Sequence, residues 1–202
     1  MPKQSYEDPR IQRSKDMLCK ALVELMEHQT YESISVKQLV EKAQIARSTF
    51  YLYYTDKADF VEKTIDNVLT RYEESATIFD DLPYQLSILK RSEAFFNYIA
   101  SNADFYRVML GNNGVASFRN KMASVGYKYF YARYEHLALK NVPEDKLLDR
   151  KTEFSIIANY IVEGKTSVAN NWLNSGLRLS SRYLAQQTSN IVYDLLVQRK
   201  IL

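Results

Sequence analysis

Cysteine is almost absent from this chain. Cys19 stands alone among 202 residues, so no internal disulfide can form, and that usage fits a reducing cytoplasm. With five glycines and four prolines there is too little turn chemistry for a many-stranded sheet, and helices are expected to dominate. The two histidines, His28 and His136, have no second histidine or cysteine at metal-ligand spacing, which leaves no expected metal site. A glycine-rich phosphate loop and a nucleophile elbow are also missing, and the acid pair Glu73 and Glu74 diverges on a helix. These absences argue against an enzyme, and no catalytic residue or cofactor is expected. No apolar run approaches the roughly 18 residues a membrane span needs, and the first residues lack a basic-then-apolar leader, so a soluble, cytoplasmic protein is expected. Excess charge is lacking too. The net charge is +3, and the first 60 residues hold as many acids as bases, so bulk charge gives no case for nucleic acid. Any such binding needs its cations gathered on one face.

What is present begins with 46% hydrophobic residues, enough for a core. Residues 35–60, SVKQLVEKAQIARSTFYLYYTDKADF, carry residue types that core packing alone does not dictate. Val36, Leu39 and Val40 form one apolar stripe on a helix running to about residue 42, with Ser35 placed as its N-cap. The pattern breaks after Ala43 and restarts at Ile45. A second short segment, residues 46–53, buries Ile45 and Phe50 and leaves Arg47, Ser48, Thr49, Tyr51 and Tyr53 without apolar partners. Two short helices joined by so few residues have the geometry of a helix-turn-helix, whose second helix offers its polar face to a major groove.

Residues 47–57, RSTFYLYYTDK, preceded by SVKQLVEKAQI, resemble the DNA-binding domain of the TetR family of bacterial regulators. They are most similar to the branch that includes regulators resembling the dihydroxyacetone kinase operon activator. The motif-level likeness covers residues 10–60; beyond it the likeness is one of helix order and length. The chain departs from the family pattern at three places. Gln44 stands where the turn usually has glycine, Ser48 where the recognition helix usually has glycine, and Ala46 where a serine or asparagine usually caps that helix. At positive φ a side chain costs roughly 1 kcal/mol, so either Gln44 is slightly strained or the turn is not quite the usual one.

The resemblance implies an all-α fold: an N-terminal three-helix helix-turn-helix domain, residues 1–57, and a C-terminal helical bundle for ligand binding and dimerisation, residues 58–202, with about nine helices in all. The pattern along the chain agrees. Residues 1–8 read as a frayed polar end, and Pro9 opens a helix ending near His28. Tyr31 and Ile34 are expected to pack under the loop before the helix-turn-helix. Asp56 caps a long fourth helix, which in the family joins the two domains and carries the ligand signal. DDLPY at 80–84 is the first compositional break. Further helices are expected over about 84–102, 104–110, 115–139, 151–174 and 180 or 181 to 198, with Gly176 closing the penultimate one.

The expected partner is a double-stranded DNA operator. Arg47, Ser48, Thr49 and Tyr51 are the candidates for base edges or the nearest phosphates, with Arg47 suited to guanine because its fork meets two acceptors. Ser35, Lys37, Tyr53, Lys57 and Arg10 or Arg13 are the candidates for phosphates. Neither C-terminal helix shows a wide polar face, and in the family helices eight and nine form a four-helix dimer interface. Ile161, Lys165, Val168, Trp172, Leu184, Thr188, Ile191 and Leu195 are therefore the candidate interface of a homodimer. Two recognition helices about 34 to 36 Å apart would read a palindrome. Aromatics crowd the segment between, and Phe95, Tyr98, Phe105, Tyr106, Phe118, Met122, Phe130 and Tyr134 are the candidates to line a pocket for a small-molecule effector. Arg107 and Lys165 are the charges to watch if that effector is anionic. The reading is a sequence-specific, ligand-responsive repressor, in which the effector tilts the fourth helix and respaces the recognition helices. Its alternatives are an activator or co-regulator working through a partner protein, and a helical adaptor that does not touch DNA.

Overall fold

Apolar side chains at helical spacing decide the architecture, and a computed structural model describes it over residues 9–76 and 79–202. The frayed end expected at residues 1–8 lies outside the described residues. Nine α-helices and no strands occur among the described residues: α1 Pro9–Met26, α2 Val36–Ala43, α3 Arg47–Tyr53, α4 Lys57–Ala76, α5 Tyr84–Ser101, α6 Ala103–Leu110, α7 Ala116–Ala138, α8 Leu147–Asn174 and α9 Ser181–Gln198. The 3-10 turns Tyr31–Ser33 and Glu144–Lys146 precede α2 and α8.

Several helix ends have an identifiable cause. Ser35 caps α2 in a reciprocal pair: its hydroxyl accepts from Gln38 N at 3.2 Å, and its own N–H donates to Gln38 Oε1 at 2.8 Å. Asp56 Oδ1 accepts from Asp59 N at 2.9 Å at the start of α4. Ser180 Oγ accepts from Tyr183 N at 3.2 Å at the start of α9. Gly176, at φ +76, lets the chain leave α8 in a left-handed turn, where Leu177 N donates to Trp172 O at 3.1 Å. The α8 start differs from expectation, at Leu147 rather than residue 151. Arg150 explains the extra turn. Its guanidinium donates to Ala138 O at 2.9 Å, Glu153 Oε2 at 2.7 Å and Arg199 O at 2.9 Å, tying the first turn of α8 to the ends of α7 and α9.

Helices α5 and α9 lie along each other, α7 runs on α8, α1 on α2, and α4 leans on both α5 and α7. One apolar core extends from Leu18, Leu22, Leu39 and Phe50 through Phe60 and Ile65 to Phe96, Phe118 and Trp172. The helix-turn-helix unit thus shares its core with the bundle. A second core under α7, α8 and α9 contains Phe130, Phe154, Val192 and Leu196. Two close approaches bring elements together where a side chain would not fit or a bond is needed: a Cβ on Gly126 of α7 would meet Val162 of α8 at 2.9 Å, and Tyr31 N donates to Asn113 O at 3.4 Å.

Candidate nucleic-acid interface and internal cavity

Phe50 sets the orientation of α3. It is fully buried, with the rings of Tyr54 and Phe60 at 5.4 and 5.9 Å, and burying such a side chain stabilises by about 1.5 to 3 kcal/mol. With Phe50 inward, Arg47, Ser48, Tyr51 and Leu52 point outward and are exposed. Ala46 offers no side-chain cap. Gln44 adopts the left-handed conformation, φ 55 and ψ 40, and its N–H with that of Ile45 satisfies the last carbonyls of α2. Of the two alternatives the structure shows the left-handed turn, with a non-glycine residue in it.

The candidate DNA-contacting residues fall into three groups. Arg47, Ser48 and Tyr51 share the outer face of α3, where Arg47 Nη2 donates to the Tyr51 hydroxyl at 3.4 Å and its guanidinium lies 5.5 Å from that ring. That arrangement extends the guanidinium beside a flat, rigid aromatic. Ser35 and Lys37 are exposed at the start of α2, where Lys37 Nζ is 3.9 Å from Glu41; Arg10 and Arg13 are exposed on the first turns of α1. Thr49 and Tyr53 are half-buried, and Tyr53 packs against the core beside Tyr54. Ile45 is half-buried instead of fully buried.

Lys57 departs from expectation. Its ammonium donates to the carbonyls of Tyr31 at 2.7 Å, Glu32 at 3.1 Å and Ile34 at 2.7 Å, and sits 4.4 Å from the Tyr31 ring. All three of its donors are used, so it ties α4 to the loop before α2 and has nothing left for phosphate. Burial accordingly lowers its pKa. Lys63 makes a similar tie, donating to Tyr53 O at 3.3 Å and Asp59 Oδ2 at 2.9 Å. Leu52, 74% exposed on the presented face of α3, was not singled out by sequence, because a leucine in an aromatic run reads as core.

Between α4, α5, α7 and α8 lies a cavity of about 440 Å³. Of the eight pocket candidates, Phe95, Tyr106, Met122, Phe130 and Tyr134 line it. Phe105 and Phe118 instead pack edge to face at 5.6 Å in the neighbouring core, and Tyr98 spends its hydroxyl on Val68 O at 2.8 Å. Arg107 is also elsewhere, paired with Asp104 at 2.7 Å on the surface. Arg91 and Lys165 are the cations at the cavity, together with the exposed Lys128. Burial and Arg91 lower the Lys165 pKa to about 8, while burial raises that of Tyr72 to about 12.

The residues chosen for a dimer face mostly point inward. Ile161, Trp172, Leu184 and Thr188 are buried in their own subunit, Lys165 faces the cavity, and Val168 and Leu195 are half-buried. Trp172 Nε1 donates to Leu179 O at 2.8 Å and its ring meets Phe96 at 5.7 Å, so it closes the α8–α9 corner. Ile191 alone of the set is well exposed, at 63%. Ile156 and Tyr160 of α8 and Tyr183 of α9 are likewise exposed. The outer surface of α9 is also more polar than expected, with Gln186, Gln187, Asn190 and Asp194 exposed.

Comparison with known proteins agrees with this architecture. Residues 18–64 match the model of bacterial regulatory proteins, tetR family, and residues 88–194 match that of a transcriptional regulator C-terminal region. Over 102 residues the chain is 27% identical to YxbF of Bacillus subtilis strain 168, an uncharacterised helix-turn-helix type transcriptional regulator; the match covers 43% of this chain and 26% of that protein. The chain thus aligns with about a quarter of that relative. The fatty acid degradation regulator FadR from Bacillus halodurans superposes with a TM-score of 0.69 at 14% identity, over 93% of this chain and 96% of that one. A TetR-like regulator from Rhodococcus sp. RHA1 gives 0.63 at 19% over 98% of both chains. The dihydroxyacetone kinase operon activator DhaS gives 0.57 at 19% over 94% and 97%. Identities this low speak to fold.

Proposed function

Since the chain belongs to the tetR family of bacterial regulatory proteins and is a DNA-binding transcriptional regulator, we propose that it represses transcription as a two-fold dimer whose α3 helices enter successive major grooves of a palindromic operator. The observation that carries this reading is the split of α3: Phe50 is fully buried while Arg47, Ser48 and Tyr51 stand exposed on one face. Arg47 pairs with two acceptors of a guanine, and Ser48 and Tyr51 take the adjoining base edge or phosphate. Ser35, Lys37, Arg10 and Arg13 fix register on phosphates and carry no sequence information. Lys57 and Lys63 hold the unit in shape.

The dimer forms through the outer face of α8 and α9, where Ile156, Tyr160, Tyr183 and Ile191 expose apolar area. A two-fold axis there puts the same patch on both partners. Residues 58–202 hold this face and the cavity, which takes the effector; residues 1–57 read DNA. The cavity touches Leu69, Tyr72 and Ala76 of α4, the helix that also carries Lys57 and Lys63, so occupancy reaches α3 through one rigid element. We assign no catalytic role, and a cytoplasmic one fits a DNA reader; no described helix is long and apolar enough to cross a membrane.

Selection of bound sequences from a random DNA pool, followed by affinity against salt for the winner, tests the reading. A two-fold symmetric motif with affinity falling steeply as salt rises is expected. An asymmetric motif, or no enrichment at low salt, would overturn it.

A further inference from the structure

The polar groups at the cavity are sorted by charge. Its acids lie toward the rim: Asp80 has half its side chain in solvent, Glu73 pairs with the exposed Lys128 at 3.2 Å, and Glu74 is exposed. Its cations Arg91 and Lys165 lie deeper. Arg91 is 8% exposed, stacks 3.7 Å from the Tyr129 ring, and spends Nη2 on Asp80, yet its buried Nε–H has no hydrogen-bond partner. A buried donor left unmade costs about 1 to 3 kcal/mol. Lys165 Nζ donates to the neutral Ser92 hydroxyl at 3.0 Å and lies 5.2 Å from the Phe95 ring, and among the described residues no carboxylate pairs with it. An ammonium has three donors, so two remain. Two cations near enough to disfavour each other's charge thus line one space, and Lys165 has donors to spare. The remaining wall is apolar and rich in rings, including Phe95, Tyr106, Phe130 and Tyr134.

Resting on the reading of this cavity as the effector site, we propose that the effector is a small organic acid, one carboxylate on a compact apolar body, with the carboxylate held by Lys165 Nζ beside the positive charge of Arg91. The anion supplies the acceptors that Lys165 lacks and a second negative charge beside Arg91. The rings enclose its body, and a space of about 440 Å³ is in the lower part of the range for small-molecule sites, roughly 300 to 1,000 Å³. A cationic amphiphile of the same shape would add a third positive charge and is rejected. A neutral one leaves the donors unpaired and binds weakly.

The test uses three probes with one body, phenylbutyrate, phenylbutanol and phenylbutylamine, titrated calorimetrically into the full chain. Phenylbutyrate is expected to bind at least about tenfold more tightly than phenylbutanol, and phenylbutylamine not to bind. Lys165→Met should weaken phenylbutyrate about tenfold while leaving phenylbutanol unchanged, which also shows that the cavity persists in the variant. Equal binding of acid and alcohol, or a Lys165→Met variant that binds the acid as before, overturns the charge assignment and leaves the cavity as an effector site. Binding of none of the three overturns the proposal. Operator binding by the ligand-free chain, measured on the same preparation, reports separately on the regulator itself.

Discussion

Lys57 Nζ lies 2.7 Å from the carbonyl oxygen of Ile34, and through that bond the first turn of α4 holds the chain that leads into the DNA-facing helices. The same ammonium takes the carbonyls of Tyr31 and Glu32. A lysine next to a recognition helix reads in sequence as a phosphate clamp, and only the folded chain shows its donors taken by three backbone carbonyls.

Lys57→Met should therefore destabilise the fold, because three carbonyls lose a charged donor, a loss of about 1 to 3 kcal/mol. The expected readout is a lower thermal midpoint with an unchanged slope of log affinity against log salt on operator DNA. A slope reduced by about one unit at unchanged midpoint would return Lys57 to the phosphate contacts.

Arg47→Ala should cost about 1 to 3 kcal/mol of operator affinity and relax base preference at one position of each half-site. Its guanidinium is exposed and held loosely by Tyr51, so the fold should not change. Competition between the selected operator and random DNA measures it; equal losses on both would make Arg47 a phosphate contact.

Gln44 at φ 55 carries the strain of a side chain in a left-handed turn. Gln44→Gly should stabilise the protein by up to about 1 kcal/mol, since the position favours glycine in conformation while the bonds made by the turn's N–H groups remain. Chemical denaturation of the pair decides it, and a destabilised variant would mean that the Gln44 side chain contributes more than its backbone costs.

Burial sets a pH signature at Lys165. Its folded pKa of about 8 lies below its ordinary value of 10.5, so between those values the unfolded chain binds the extra proton. Stability from this residue therefore rises with pH across that window and is flat below it. Cys19 acts in the opposite sense above pH 9, because burial pushes its thiol up to about 11. The difference between wild type and Lys165→Met removes that shared contribution. The difference should grow in favour of wild type from about pH 8 upward; a pH-independent difference would place Lys165 in solvent.

Much of this was legible in the sequence for a physical reason: caps and apolar spacing are local. Ser35 and Asp56 could be read as caps, and Phe50 as the buried residue of α3, without knowing what they pack against. The α8 start could not, because Arg150 extends that helix by bonds to Ala138 and Arg199, which the chain brings near only when folded. Which side of α8 and α9 is left exposed could not be read either, for a similar reason. A long helix packed by α6 and α7 buries apolar residues on more than one side, so its apolar residues say little about which side is left over.

That leftover side gives the last prediction. Tyr160 is 74% exposed and Ile191 63%, on α8 and α9, and neither supports the subunit's own core. If the two helices dimerise there, Tyr160→Glu with Ile191→Glu places like charges from both partners across a two-fold axis. The double variant should run as a folded monomer at micromolar concentration, keep its thermal transition in form, and lose operator affinity by at least about tenfold, since each half-site is then bound alone. Trp172→Ala is the contrasting variant: its indole fills the core against Phe96 and bonds Leu179, so it should lose about 3 to 5 kcal/mol of stability whatever the oligomeric state. A double variant that stays dimeric would move the interface off this face, and a wild-type chain that is monomeric under the same conditions would remove the dimer altogether.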